Sequence, residues 1–240
     1  MTTTSTSPSS SADAVTASPE LAERYAAVTA GIADACASAG RSPDELTLVV
    51  VTKFHPAQLV RDLVDLGVRH VGENRHQDAA PKAAELEGLP LTWHFVGQLQ
   101  SNKAKAVARY ADVIHSVDRA SLVTALAGAE RAVDVFLEIN LTDDPGRGGV
   151  APDRVEELAE AVLATERLRL RGVMGVAPLD EDARGAFARL RAIGDRVRTI
   201  APEATDLSAG MSGDYAEAIA EGATHLRIGT AITGKRPAPQ

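Results

Sequence analysis

Aromatic side chains are scarce in this chain: four Phe, three Tyr and one Trp among 240 residues. Ala, Val and Leu must therefore do most of the packing, and the 45% hydrophobic content is enough for a sizeable core. Cysteine is nearly absent. The single Cys36 excludes an internal disulfide and fits a reducing cytoplasm, and its place among alanines in a helical pattern reads as an inert, packed thiol. No apolar run approaches the ~18 to 20 residues that span a bilayer. The N-terminus lacks the basic start and apolar centre of a signal peptide, and the first arginine, Arg24, comes too late for a transit peptide. A soluble, cytoplasmic protein is expected. Basic charge is also short, with 25 Lys and Arg against 33 Asp and Glu, a net charge of −8. That balance argues against a nucleic-acid surface, which needs clustered cations. The six histidines have no metal-ligand spacing, so no metal is expected.

Organisation centres on Leu46-Thr47-Leu48-Val49-Val50-Val51-Thr52-Lys53, an almost unbroken β-rich apolar run that ends in a lysine. Such a run without alternation suits a strand buried on both faces, as in a parallel sheet. Further strand signals lie at 68–71, 92–97, 112–117, 133–140, 168–174, 205–208 and 224–228. Helical patterns lie between them near 57–66, 74–86, 102–110, 119–130, 153–165, 181–200 and 213–221. The alternation predicts a parallel sheet with right-handed crossovers. Eight strands predict a closed (β/α)8 barrel of the TIM type; an open doubly wound sheet is the alternative. An extra N-terminal helix precedes the barrel, with Ser18 as N-cap, Pro19 at its first position and Gly40 at its end. Residues 1–17, rich in Ser, Thr and Ala, read as a disordered tail. Residues 18–236 form one domain, with no linker between 40 and 234.

Chemistry in such folds collects at the carboxyl ends of the strands. There the sequence places Lys53, Gly72-Glu73-Asn74-Arg75, the stretch from His94 to Lys103, Ser208-Ala209-Gly210-Met211-Ser212-Gly213-Asp214, and Arg227-Ile228-Gly229-Thr230. The last two loops follow strands seven and eight, the usual phosphate-holding place in these barrels. Hydroxyls of Ser208, Ser212 and Thr230, close backbone approach at glycines and a helix start near Gly213 would make a phosphate cup. Ordinary turn chemistry, with Ser212 capping the helix, would leave the same residues. A lysine facing a phosphate cup, in a cavity expected to desolvate it partly, suggests Schiff-base chemistry, either a sugar-phosphate aldolase or pyridoxal 5′-phosphate. Arg227 could face a pyridine nitrogen and hold it unprotonated, face the phosphate, or be a structural arginine at the rim. Asp144-Pro145-Gly146-Arg147-Gly148-Gly149 lacks the ending of a P-loop and reads as a flexible loop at the barrel mouth. Asp143 and Asp144 read as solvated rather than as an acid pair.

These stretches together resemble the pyridoxal phosphate homeostasis protein family, whose members have the barrel of alanine racemase's N-terminal domain without its second domain. The resemblance runs from about Gly40 to Gly234. It implies pyridoxal 5′-phosphate carried as a Schiff base on Lys53, with the serines, Gly229 and Thr230 on its phosphate. The implied cofactor set is Lys53, Asn74, His94, Met174, Ser208, Gly210, Met211, Ser212, Arg227, Gly229 and Thr230. Thr52 stands where many members have Ser, and Arg147-Gly148 replaces a more usual Lys-Ser. The expected function is a carrier or buffer of the cofactor in vitamin B6 homeostasis rather than an enzyme, working as a monomer or weak dimer and serving pyridoxal-phosphate-dependent apo-enzymes. Racemisation needs acid/base groups on both faces of the substrate. Tyr25, Tyr110 and Tyr215 are not at predicted strand ends, and no second domain is expected after Gly234. A racemase or a Schiff-base aldolase is the alternative.

Overall fold

In the computed structural model the described residues are 17–142, 144 and 146–236. Most of the expected tail, residues 1–16, therefore lies outside them, as does Asp143 of the expected solvated pair. Helix α1 (Pro19–Ala39) starts on Ser18, whose side chain accepts from Leu21 N–H, and stops at Gly40 in the left-handed conformation. Its buried stripe of Leu21, Val28, Ile32 and Cys36 lies at helical spacing. Cys36 is a free, buried thiol, and burial pushes its pKa up.

The barrel follows. Its strands are β1 (Thr47–Val51), β2 (His70–Glu73), β3 (Thr92–Phe95), β4 (Val113–Val117), β5 (Val133–Glu138), β6 (Leu168–Met174), β7 (Asp206–Ser208) and β8 (His225–Ile228). Each pairs in parallel with its sequence neighbours and β8 closes on β1, with Val49 beside Arg227 and Val50 beside Ile228. All eight expected strands are present, and the open-sheet alternative is excluded by that closure. The connecting helices are α2 (Ala57–Asp65), α3 (His76–Glu85), α4 (Ala104–Val107), α5 (Ala120–Leu126), α6 (Val155–Leu163), α7 (Ala183–Ile200) and α8 (Tyr215–Ala220). A last one, α9 (Thr230–Thr233), has no counterpart in the helical patterns read from the sequence, because a single turn is too short to show a period.

Two packed layers divide the apolar and polar work. Between sheet and helices, Val50, Val60, Leu63, Val71, Phe187, Leu190, Ile228 and many others form the main aliphatic core. Inside the barrel the filling is different: Val113, Phe136 and Met174 form a small apolar cluster, and the His115 ring stacks on Phe136 at 4.6 Å. His94, Ser208 and Arg227 are buried in that interior too. Among the described residues no helix is long and apolar enough to cross a membrane.

Candidate functional site

The carboxyl end of β1 runs directly into a β-turn. Thr52 N–H extends the strand ladder to Gly72 O, and His55 N–H closes back on Thr52 O at 3.1 Å. Phe54 occupies the third turn position with φ of +69°, a conformation that ordinarily calls for glycine. Its ring is covered by cations: the Arg236 guanidinium lies 3.8 Å from the ring centroid, Arg75 5.4 Å and Lys53 Nζ 6.0 Å. The turn thus presents Lys53 at the barrel mouth, where it is exposed rather than partly desolvated.

Beneath it a buried ion pair fixes the strand end. Lys82 of α3 donates to Glu73 Oε1 at 2.5 Å and to Thr52 O at 3.1 Å, and Thr52 Oγ1 donates to the same carboxylate oxygen at 2.8 Å. Lys82 and Glu73 are 7% and 1% exposed, so neither charge has water to fall back on. A Cβ at Gly97 would collide with the Asn74 backbone, so only glycine lets the loop after β3 pass beside the end of β2.

A cavity of about 510 Å³ opens at this end of the barrel. From the residues singled out in the sequence it gathers Lys53, Asn74, Met174, Met211, Ser212, Arg227, Gly229 and Thr230. His94, Ser208 and Gly210 do not line it. His94 lies within the barrel rather than at its mouth, because it points inward from the middle of β3. Ser208 lies behind Arg227, which donates to its Oγ at 2.6 Å. Gly210, at φ +92°, turns the chain against Ala218 and Leu226. The cavity also takes in Gly213, expected as the helix start, and Phe54, His55, Glu138 and Arg236, which the sequence did not single out. Glu138 carried a faint signal, being an acid that ends the apolar run Val135-Phe136-Leu137.

Arg227 is the floor of this cavity. It is 6% exposed and also donates to Gly175 O at 3.0 Å. Burial lowers its pKa to about 10, with Glu138 and Asp214 working against that, so it stays charged at neutral pH. Glu138 is displaced the other way. Burial and the Asp118 charge raise its pKa to about 7, while Arg227 holds it down. Its Oε2 and the Asn74 Oδ1 are buried without a hydrogen-bond partner, so the cavity wall holds acceptor atoms left open for a bound group.

The rim after β7 and β8 differs in detail from the expected helix start at Gly213. Helix α8 begins at Tyr215, and Asp214 Oδ1 accepts from Met211 N–H at 2.6 Å. That bond folds the Met211–Asp214 loop and leaves the Ser212 hydroxyl outside the cap. Open space surrounds the position a Gly213 side chain would take. On the other side of the rim α9 starts at Thr230 with Gly229 as its N-cap. The N–H groups of a first helical turn have no partner within the helix, so this rim can offer them to an anion. Asn140 Nδ2 donates to Asp144 O and Arg147 O, which ties those two residues to the end of the strand before them.

Residues 12–237 match the family model for the alanine racemase N-terminal domain. The chain is 41% identical to the pyridoxal phosphate homeostasis protein of Mycobacterium tuberculosis, over 90% of this chain and 93% of that one. It is 42% identical to the protein of the same name from Pseudomonas aeruginosa, over 90% and 96%. Among solved structures it is similar to PipY of Synechococcus elongatus with pyridoxal phosphate bound, with a TM-score of 0.78, 36% identity, and coverage of 89% of this chain and all of that one. Alanine racemase of Corynebacterium glutamicum shares the fold, with a TM-score of 0.66 at 16% identity.

Proposed function

The chain belongs to the pyridoxal phosphate homeostasis protein family, and from that premise we propose that it holds pyridoxal 5′-phosphate in the mouth cavity, bound through Lys53. The observation that carries this reading is that a lysine, a charged arginine floor and a hydroxyl- and glycine-rich rim share one cavity. When bound, the cofactor supplies a carbonyl carbon for an amine and a dianionic phosphate. Lys53 Nζ is the amine. Ser212, Gly213, Gly229 and Thr230 hold the phosphate through hydroxyls and the first N–H groups of α9. Arg227, a donor with no acceptor, keeps a ring nitrogen facing it unprotonated, which blunts the electron sink that catalysis on this cofactor needs. Glu138 and Asn74 supply the open acceptors of the wall.

The role that follows is carriage or buffering in vitamin B6 homeostasis rather than turnover, with pyridoxal-phosphate-dependent apo-enzymes as recipients in the cytoplasm. The Lys53 turn, closed by its own backbone hydrogen bond, supports retention of the cofactor on that lysine. The test is visible absorption of protein loaded with pyridoxal phosphate. Lys53→Ala loses the band of the lysine-bound cofactor and keeps a weaker, non-covalent affinity. A variant that keeps the band moves the anchor to another lysine. Amino-acid racemisation at ordinary enzyme rates, lost in the same variant, would overturn the carrier reading.

A further inference from the structure

A hydrogen-bonded run crosses the barrel interior below the cavity. His70 Nδ1 lies 3.0 Å from His94 Nε2, His94 Nδ1 lies 2.8 Å from His115 Nε2, and His115 Nδ1 lies 2.8 Å from Ser208 Oγ. Arg227 meets the same hydroxyl from the cavity side. Strands β2, β3, β4, β7 and β8 each contribute one member, so the run exists only once the barrel has closed. His94, His115 and Ser208 are buried, and His70 is half-buried at the opposite, amino-terminal opening of the barrel.

We propose that Arg227 orders this run into a single direction, and that Ser208 and His115 in turn are positioning residues that hold the Arg227 guanidinium in the cavity floor. The proposal rests on Arg227 facing the cofactor as read above. The direction follows from donors and acceptors. A guanidinium only donates, so Ser208 Oγ accepts from it, and the one hydroxyl proton goes to the other neighbour, His115 Nδ1. A neutral His115 then carries its proton on Nε2 and gives it to His94 Nδ1. His94 likewise donates from Nε2 to His70 Nδ1, which leaves His70 with its proton on Nε2. The reversed direction makes Ser208 accept twice and strands its own proton in the interior, where an unmatched donor is costly.

The rings are neutral, as this argument needs. Burial and the neighbouring charges push His94 and His115 well below the ordinary histidine range. In the assigned direction every lone pair in the run points towards Arg227 and every N–H points away. Aligned dipoles in a low-dielectric interior reinforce one another, so the run places its negative end against a guanidinium that has lost its water. Rings that only filled space could adopt either tautomer.

Nitrogen-15 spectra of histidine-labelled protein without added cofactor read the direction. The expected result is that His94 and His115 are both protonated on Nε2 alone at neutral pH, and that Ser208→Ala gives mixed tautomers in at least one of them. An Nδ1-protonated ring in the wild type, or unchanged tautomers in Ser208→Ala, overturns the proposal. The second readout is retention of pyridoxal phosphate followed by absorbance. Ser208→Ala is expected to bind about tenfold more weakly, the effect of one charge-assisted hydrogen bond, and Ser208→Thr to recover most of the loss. If Ser208→Ala fails to fold, His115→Phe keeps a ring stacked on Phe136 and is expected to show the same weakening; wild-type retention there overturns the positioning role. A wild-type chain that takes up no cofactor sinks the functional reading instead, while the tautomer result stands or falls by itself.

Discussion

Replacing Glu138 by Gln removes an ionisable group whose cost grows with pH. The carboxyl sits in the cavity wall with one oxygen buried and unpartnered, and burial with the Asp118 charge raises its pKa from 4.5 to about 7 against the pull of Arg227. Between these two values the folded chain holds a proton that the unfolded chain has released. Folding stability therefore falls as pH rises from about 4.5 to about 7 and is flat above that. At 1.36 kcal/mol per unit, the separation is worth about 3 kcal/mol at the plateau. A glutamine in its place has the shape and cannot ionise, so it escapes this cost. Urea denaturation of the cofactor-free wild type and Glu138→Gln should give nearly equal pH-dependent contributions at pH 4.5. The variant should then gain steadily, to about 3 kcal/mol above pH 7, or roughly 6 to 12 °C in Tm. A difference that stays constant with pH, or that shrinks as pH rises, would refute the reasoning, because it would mean that Glu138 ionises as freely in the folded chain as in the unfolded one.

Other perturbations reach different parts of the same end of the barrel. Lys82→Met leaves Glu73 charged and buried without its partner and should cost about 3 to 5 kcal/mol, read by urea denaturation; Glu73→Gln in the same chain should recover much of it. Ser212→Ala with Thr230→Ala removes two hydroxyl donors and should weaken pyridoxal phosphate binding more than tenfold without abolishing it, since the backbone N–H groups remain. Binding like the wild type would put the phosphate elsewhere. His94 and His115 have depressed pKa values, so their contribution is complete above the ordinary 6.5 and is lost as pH falls below it. His115→Phe should accordingly flatten the acid limb of the stability profile between pH 6.5 and 5.

The order of elements was open to sequence reasoning because it rests on local rules. Apolar runs such as Leu48–Val51, the Ser18-Pro19 start and the Gly40 stop of α1 announce themselves from their neighbours alone, and their alternation leaves few topologies. The residue types of the site were legible for the same reason: Lys53, Ser212, Gly229 and Thr230 follow strand signals directly, and they do meet at the mouth. What each inward-facing residue meets is a different matter. His94, near the end of an apolar run, read equally as a pocket residue or as an oriented structural histidine, and the closed barrel decides for the second by turning it towards His70 and His115, which are 24 and 21 positions away in sequence. Ser208 read as a phosphate donor and meets His115 and Arg227 instead. Glu138 is an ordinary strand-end acid until burial beside Asp118 and Arg227 sets its proton affinity. Lys82 is one of several lysines in a helical pattern until α3 packs it onto Glu73. The strand and helix periods were set by neighbours along the chain. The hydrogen-bond partners, the buried charges and the displaced pKa values come from contacts between strands, and between strands and the helices packed on them, that only the folded barrel brings together, and from the water it excludes.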